Sequence, residues 1–331
     1  MKLYIKTNKG LFCLACPRAC NLSLGRGYCG VRSAKENELS CDVSELVSSI
    51  ANDPIEKKPV FHCFPGSAVL SVGTLGCNMR CIGCQNWEIA HADLDSYHWG
   101  LQRITPSELV ALAERVSDGL AWTYNEPTVW AEYVYEGARL AKEQGLFTVV
   151  VTNGYYSAQT FKLWEPVIDV FRIDLKGYTD ETYGKFAAPD VKARVILSNI
   201  EKAASCGKHV EIVTNVMPGI NDGDLEYMAD FIKNVNAQIP WHLTRFFPQY
   251  KLQNVPPTPV SLLVSARQMA LEKGLEYVYL GNVNVPGMEN TVCPHCGNLL
   301  IERKGLSVVK SYIEQGSCPR CGHKIYGRFG G

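Results

Sequence analysis

Between residues 68 and 280 the chain alternates short, nearly continuous apolar runs with longer amphipathic stretches. The runs are Ala68–Val72, Leu120–Tyr124, Thr148–Val151, Val170–Leu175, Val210–Val216, His242–Phe246 and Tyr277–Leu280. Between them, Pro106–Arg115, Val129–Gln144, Lys192–Ser205, Asp224–Asn234 and Leu262–Lys273 place apolar residues at helical spacing. Strands alternating with helices predict a parallel sheet with crossover helices. Six or seven such units fall short of the eight of a closed barrel. The pattern therefore predicts an α/β fold, a partial (β/α)6 TIM-like barrel. An open doubly wound sheet fits the same alternation, which does not set strand order.

The flanks read differently. Residues 1–50 carry Cys13, Cys16, Cys20 and Cys29, with Gly25 and Gly27 between them for tight turns. Arg18, Arg26 and Arg32 make this the most basic stretch and read as a solvated face. Asp53 to Pro59 reads as a Pro-bounded linker into the core. Residues 286–331 hold two Cys-Pro-x-Cys-Gly knuckles, Cys293/Cys296 and Cys318/Cys321, around strand-like Leu299–Glu302 and Ser307–Ile313. Three units are expected: 1–50, 51–285 and 286–331.

Composition narrows the classes. The 331 residues are 46% apolar, enough for a large core, and Lys plus Arg balances Asp plus Glu at 33 each. That neutrality argues against nucleic acid and against an anionic membrane surface. With no apolar run of signal or membrane-span length, a cytoplasmic protein is expected. Eleven of the 14 cysteines fall into three groups, and Cys41, Cys63 and Cys206 stand alone as expected small buried residues. Tight Cys-x2-Cys pairs in a reducing compartment read as metal ligands. The C-terminal knuckles form the zinc-ribbon pattern, with His295 a surplus ligand. The N-terminal four suit either zinc or an iron–sulfur cluster.

The third group is Cys77-x3-Cys81-x2-Cys84, just after the first apolar run. Such a triplet is expected by chance only ~0.02 times in a chain of this size and cysteine content. Three thiolates can hold three irons of a [4Fe-4S] cube and leave the fourth open to a ligand. The polar motifs fall just past predicted strands, where barrel enzymes place their sites. In Tyr124-Asn125-Glu126-Pro127 the Glu126 carboxylate suits an ammonium, with Glu126 and Pro127 also suited to open a helix. Thr152 and Asn153 suit a ribose or a simple turn. Alternation puts Asp174 and Lys176 on one strand face. Asn221 or Asp222 should cap the next helix, and the aromatics of Arg245-Phe246-Phe247 read as core before platform. His62, His91 and His98 have no metal-ligand spacing.

With these motifs in order, the chain resembles the radical S-adenosylmethionine (SAM) enzymes, and in particular the AmmeMemoRadiSam-system members related to pyruvate formate-lyase activating enzyme. The resemblance covers almost the whole chain, including the N-terminal Cys-x2-Cys-Pro-Arg-x-Cys run, Tyr124-Asn125-Glu126-Pro127, Arg172 to Lys176 and the terminal ribbon. It implies a [4Fe-4S] cluster on Cys77, Cys81 and Cys84, with SAM on the open iron. It also implies that Asn125 and Glu126 meet the SAM amino group, Thr152 and Asn153 the ribose, and Asp174 and Lys176 the ribose or carboxylate. The implied partners are a single-electron donor of ferredoxin or flavodoxin type and Memo-like and AMMECR-like system proteins. One departure is Gly83, where the family usually carries an aromatic against the adenine.

Three functions follow: a radical SAM oxidoreductase on an unidentified substrate, a glycyl-radical-enzyme activase, or a non-catalytic zinc-ribbon adaptor. Simple activases lack both flanking cysteine segments, which weighs against the second.

Overall fold

A computed structural model describes residues 2–97 and 100–329. His98 lies outside these residues. The seven apolar runs pair side by side in chain order. With the edge strand counted first, the sheet comprises β1 (Ser49–Pro54), β2 (Ala68–Gly73), β3 (Gly119–Trp122), β4 (Phe147–Thr152), β5 (Val170–Asp174), β6 (His209–Val216), β7 (Trp241–Arg245) and β8 (Val278–Gly281). Strands β2 to β8 are mutually parallel and strictly sequential, and β1 runs antiparallel along β2. Sequential order excludes the doubly wound alternative. Six helical crossovers join the seven parallel strands, and five of them carry the predicted helical stretches.

Local chemistry explains the crossovers. Pro106–Val116 opens with a reciprocal box in which Thr105 and Glu108 satisfy each other's backbone N–H, with Pro106 at its first turn. Its Leu109, Val110 and Ala113 are buried in the shared core. Ala131–Glu143, Ala193–Ser205, Leu225–Asn236 and Val260–Glu272 follow the predicted stretches. Ala158–Trp164 and Asp180–Phe186 were not legible in the pattern. Each has seven residues, too few turns for a periodicity, and each starts at a hydroxyl cap, Ser157 or Thr179. Neither Asn221 nor Asp222 caps Leu225–Asn236. Asn221 instead braces its loop, accepting from Met217 N and donating to the Lys176 and Asn215 carbonyls.

Alternation along the strands sorts the core. Leu70, Val72, Leu120, Trp122, Val150, Phe171, Ile173 and Leu243 join the large core containing the helices. Val69, Ala121, Val149 and Val170 form a second group with Ile55, Val60 and Cys63. Further along that second face come Thr123, Val151, Arg172, Asp174, Val213, Asn215 and Thr244, which line a cavity at the C-terminal strand ends.

Three expectations are corrected. Asp53 to Pro59 is no linker: Asp53 is buried at the end of β1, and Ile55–Lys57 forms a 3-10 turn into the core. Arg18 and Arg32 are buried, not solvated: Arg32 donates to Val129 O and pairs with Glu132, and Arg18 donates to Asn78 O. Cys206 is exposed at the end of Ala193–Ser205. Within the first fifty residues, Leu3, Leu11, Leu22 and Val31 pack into the main core.

The C-terminal segment forms a three-stranded antiparallel sheet, Thr291–Val292, Leu299–Lys304 and Ser307–Ser311. Its Leu300 and Ile301 pack with Phe61, Tyr277 and Tyr279 of the main body. Arg303 fastens the two through Phe61 O at 2.7 Å and the buried Glu56 at 3.5 Å, and within the segment it donates to Thr291 Oγ1 at 2.9 Å. Inside the barrel, Glu211 accepts from Phe61 N, His62 N, His209 Nε2 and His242 Nε2 at 2.7–3.0 Å. Burial pushes its pKa up, but the bonds from His209 and His242 outweigh this and hold the carboxyl well below the usual range. No helix among the described residues is long and apolar enough to cross a membrane.

Candidate functional site

Cys77, Cys81 and Cys84 lie on the loop that leaves β2, and all three line a cavity of about 380 Å³. The loop is held in place by the chain around it. Gly76 has φ +88°, and a Cβ there would sit 2.6 Å from Cys29 O, so only glycine fits. Asn125 accepts from Thr74 N at 3.0 Å and donates to Gly76 O at 2.9 Å. Arg80 ties the Cys77, Ala90 and Tyr28 carbonyls together at 2.8–3.3 Å. Ile82 N and Arg80 N bond to the carbonyls of Phe186 and Ala187. Burial raises all three thiols, Cys81 to about 12, with Lys176 opposing at Cys81 and Cys84.

Glu126 faces the same cavity and is only 2% exposed. Its carboxylate accepts from Thr128 N, Thr128 Oγ1, Thr152 Oγ1 and Asn153 N at 2.6–3.1 Å. None of these partners is charged. Burial raises its pKa against those four bonds. It also starts the 3-10 turn Pro127–Trp130, so the capping role and the cavity role coexist.

Asp174 sits between Arg172 and Lys176, with Lys176 Nζ at 2.8 Å. Burial opposes its ionisation, but the two cations prevail and lower its pKa; Lys176 is raised by Asp174 and Cys81 against its own burial. All three line the cavity.

The predicted residues thus separate into two kinds. Cys77, Cys81, Cys84, Glu126, Asp174 and Lys176 present side chains to one space. Asn125 and Asn153 border it, but their amides serve the loop: Asn153 accepts from Tyr155 N and donates to Asn78 Oδ1 at 2.8 Å. Thr152 lies on the opposite strand face, behind Glu126, and does not line the cavity. Alternation along β4 gives that placement, since Val151 and Asn153 take the inward positions.

Sequence reasoning missed Lys57, Lys58, Tyr124, Asn215 and Asn282 on the cavity wall. Asp53 binds Lys57 and Lys58 at 2.7 Å each and accepts from Tyr124 Oη at 2.8 Å. The Lys58 ammonium also lies 4.5 Å from the Tyr124 ring centre. Tyr124 itself has φ +70°, a conformation a bulky residue rarely adopts. The signal was available in Asp53 followed by Lys57-Lys58, an acid four and five residues before two bases. Gly83 is explained by its neighbours: a Cβ there would lie 2.9 Å from Leu252 Cδ1 and 3.4 Å from Phe246 Cε2.

The two remaining cysteine groups differ in spacing. Cys293–Cys321 and Cys296–Cys318 sulfurs are 3.6 and 3.7 Å apart, and all four lie within 4.8 Å of one another. The two knuckles are built alike, with Gly297 N on Cys293 O and Gly322 N on Cys318 O at 2.9 Å, each glycine at φ near +70°. His295 stacks on His323 beside them. Cys13, Cys16, Cys20 and Cys29 instead surround a small hollow and do not close to that spacing, and neither does the Cys77 triplet.

A sequential parallel sheet with three cysteines on its first loop and a polar cavity at the strand ends defines a radical SAM fold. Residues 71–232 match the Radical SAM superfamily. The chain is 39% identical over 320 residues to an uncharacterized protein of Methanocaldococcus jannaschii, MJ0808, covering 95% of this chain and 94% of that one. It is 26% identical over 215 residues to a putative glycyl-radical enzyme activating enzyme of the same organism, 64% of this chain and 78% of that one. The fold is similar to Streptococcus suis SuiB bound to S-adenosylmethionine, with a TM-score of 0.52 at 10% identity, over 65% of this chain and 52% of that one. The chain belongs to the Radical SAM superfamily.

Proposed function

We propose that this chain is a radical SAM enzyme in which Cys77, Cys81 and Cys84 hold a [4Fe-4S] cluster and Glu126 receives the ammonium of SAM. The observation that carries this is a single cavity walled by three thiols and a buried carboxylate with only neutral partners. The donor set fits. Three thiols suit three irons of a cube, and a buried carboxylate without a cation is completed by one. When bound, the cluster and SAM supply one-electron cleavage of SAM to methionine and a 5′-deoxyadenosyl radical, which removes hydrogen from a substrate.

The chain's own part is to bind and orient. Lys176, steadied by Asp174, faces the triplet and supplies positive charge for the SAM carboxylate or ribose. Arg172 steadies Asp174 from below. Lys57, Lys58, Tyr124 and Asn282 border the remaining space, where the substrate would sit. Leu252 fills the volume above Gly83, so the adenine contact expected from an aromatic there falls to other residues.

The C-terminal knuckles suit zinc, because a Zn–S bond of 2.3 Å in a tetrahedron places sulfurs about 3.8 Å apart, close to the spacing here. The wider reading is an AmmeMemoRadiSam-system enzyme of a reducing cytoplasm, served by a ferredoxin- or flavodoxin-type donor and working beside Memo-like and AMMECR-like proteins. Anaerobic reconstitution with iron and sulfide, followed by reduction with SAM present, tests the central reading. Formation of 5′-deoxyadenosine, lost in Cys81→Ser, is expected. A fully reconstituted protein that leaves SAM intact refutes it. Similarity to the putative glycyl-radical activating enzyme favours a second reading as an activase; a glycyl electron-spin signal on a co-expressed partner would establish it.

A further inference from the structure

We propose that Cys13, Cys16, Cys20 and Cys29 hold a second iron–sulfur cluster, set directly behind the Cys77 loop and exchanging electrons with it. All four line one small hollow, together with Ala15, Leu22 and Val129. The hairpin Tyr4–Thr7/Gly10–Cys13 delivers Cys13, and Cys13 N bonds to Cys20 O at 3.0 Å, folding the segment back on itself.

Spacing separates zinc from a cluster. One zinc ion draws four sulfurs to about 3.8 Å, and the paired sulfurs of the C-terminal knuckles stand 3.6 and 3.7 Å apart. Among the described residues, no three of the N-terminal sulfurs gather within 4.8 Å, and the Cys77 triplet behaves in the same way. A cubane interposes four irons and four sulfides between its thiolates and requires this wider ring.

Hydrogen bonding agrees. Arg18 and Arg32 are buried on the wall of the hollow, Arg32 committed to Glu132 and Val129 O and Arg18 paired through Nη1 with Asp190. Arg18 Nη2 is buried with no hydrogen-bond partner among the described residues. Tyr28 N points at Cys20 Sγ from 3.4 Å, the kind of bond that tunes a cluster's potential.

The hollow and the cavity share a wall. Asn78, next to Cys77, lines the hollow, receives Arg18 Nε on its carbonyl at 2.6 Å, and accepts from the Asn153 amide that also lies 3.7 Å from Cys77 Sγ. Thr128 lines the hollow and donates to Glu126. Cys29 O presses on Gly76. One layer of chain therefore separates the two sets. In each transfer a low-potential ferredoxin- or flavodoxin-type protein loses one electron, the N-terminal cluster gains it and passes it to the triplet's cluster. Only oxidation states change, and no bond is made or broken.

The test uses the full chain carrying Cys77→Ala, Cys81→Ala and Cys84→Ala, reconstituted with iron and sulfide under argon, so its outcome does not depend on the triplet. About four irons, four sulfides and one zinc per chain are expected. Two zincs without sulfide, or a folded chain with the N-terminal site empty, overturn the proposal. Should that variant fail to fold, Cys13→Ala/Cys16→Ala in the otherwise unaltered chain must lower iron from about eight to about four; unchanged iron overturns it. In the doubly reduced unaltered protein the two electron-spin signals should broaden each other, and a simple sum of two unbroadened signals would refute the shared wall.

Discussion

Replacing Glu126 by Gln isolates the charge that the cavity presents. In the free protein, Glu126 Oε1 accepts three bonds and Oε2 accepts one, from Asn153 N. A glutamine carbonyl should settle at the three-donor position, which turns its NH2 toward Asn153 N–H. Leaving that donor unpaired costs about 1–3 kcal/mol, while removal of a buried charge offsets part of it. The free variant should therefore melt within a few degrees of the original. SAM binding should suffer more. Exchanging an ion-paired bond to the ammonium for a neutral one removes about 1.5–3 kcal/mol, or roughly 10- to 150-fold in Kd. The assay is anaerobic equilibrium binding of SAM to the reconstituted protein. A SAM analogue lacking the amino group completes the cycle: it should bind both proteins equally weakly. A Glu126→Gln variant that folds, binds SAM within threefold of the original, and still discriminates against the analogue would refute the assignment.

Other outcomes follow from packing and protonation. Gly83→Phe should lower stability by about 1–3 kcal/mol by overpacking against Leu252. Adding Leu252→Ala should recover part of this in denaturant melts; if it does not, Leu252 is not the obstacle. His62 donates through Nδ1 to Tyr326 O and accepts from Tyr279 Oη at Nε2, a buried neutral ring whose pKa burial lowers to about 3. The unfolded chain binds that proton below about 6.5, so the stability His62 confers is full above that pH and declines as pH falls toward 3. Melts at pH 7.5 and 5 should show less acid loss for His62→Gln than for the original. Arg303→Ala leaves Glu56 buried beside a lost partner and should cost about 3–5 kcal/mol. Limited proteolysis should then release the ribbon first, and unaltered resistance would show that Arg303 does not fasten it.

The parallel strands and five crossovers were legible because their apolar patterns are long enough to carry a period. Ala158–Trp164 and Asp180–Phe186 were not, and their positions follow from caps and packing. The cysteine triplet needed only spacing. Glu126 was legible as a carboxylate after a strand, whereas the placement of Thr152 behind Glu126 was not, because a Thr-Asn pair at a strand end does not reveal which residue turns inward. Asp53, Lys57 and Lys58 looked like a linker because their partner, Tyr124, lies 71 residues from Asp53. Arg18 and Arg32 looked solvated because burial of an arginine depends on distant carbonyls such as Asn78 O and Val129 O. The departure at Gly83 became intelligible only with Leu252 in place.

The central claim is that the Cys77, Cys81 and Cys84 site leaves one metal position for SAM. Electron-spin resonance of the reduced, reconstituted protein, with the N-terminal cysteines replaced, tests it most directly. Addition of SAM should shift the cluster's g values, and the Glu126→Gln variant should need roughly 10- to 150-fold more SAM for the same shift. A spectrum that saturating SAM leaves unchanged would contradict the account.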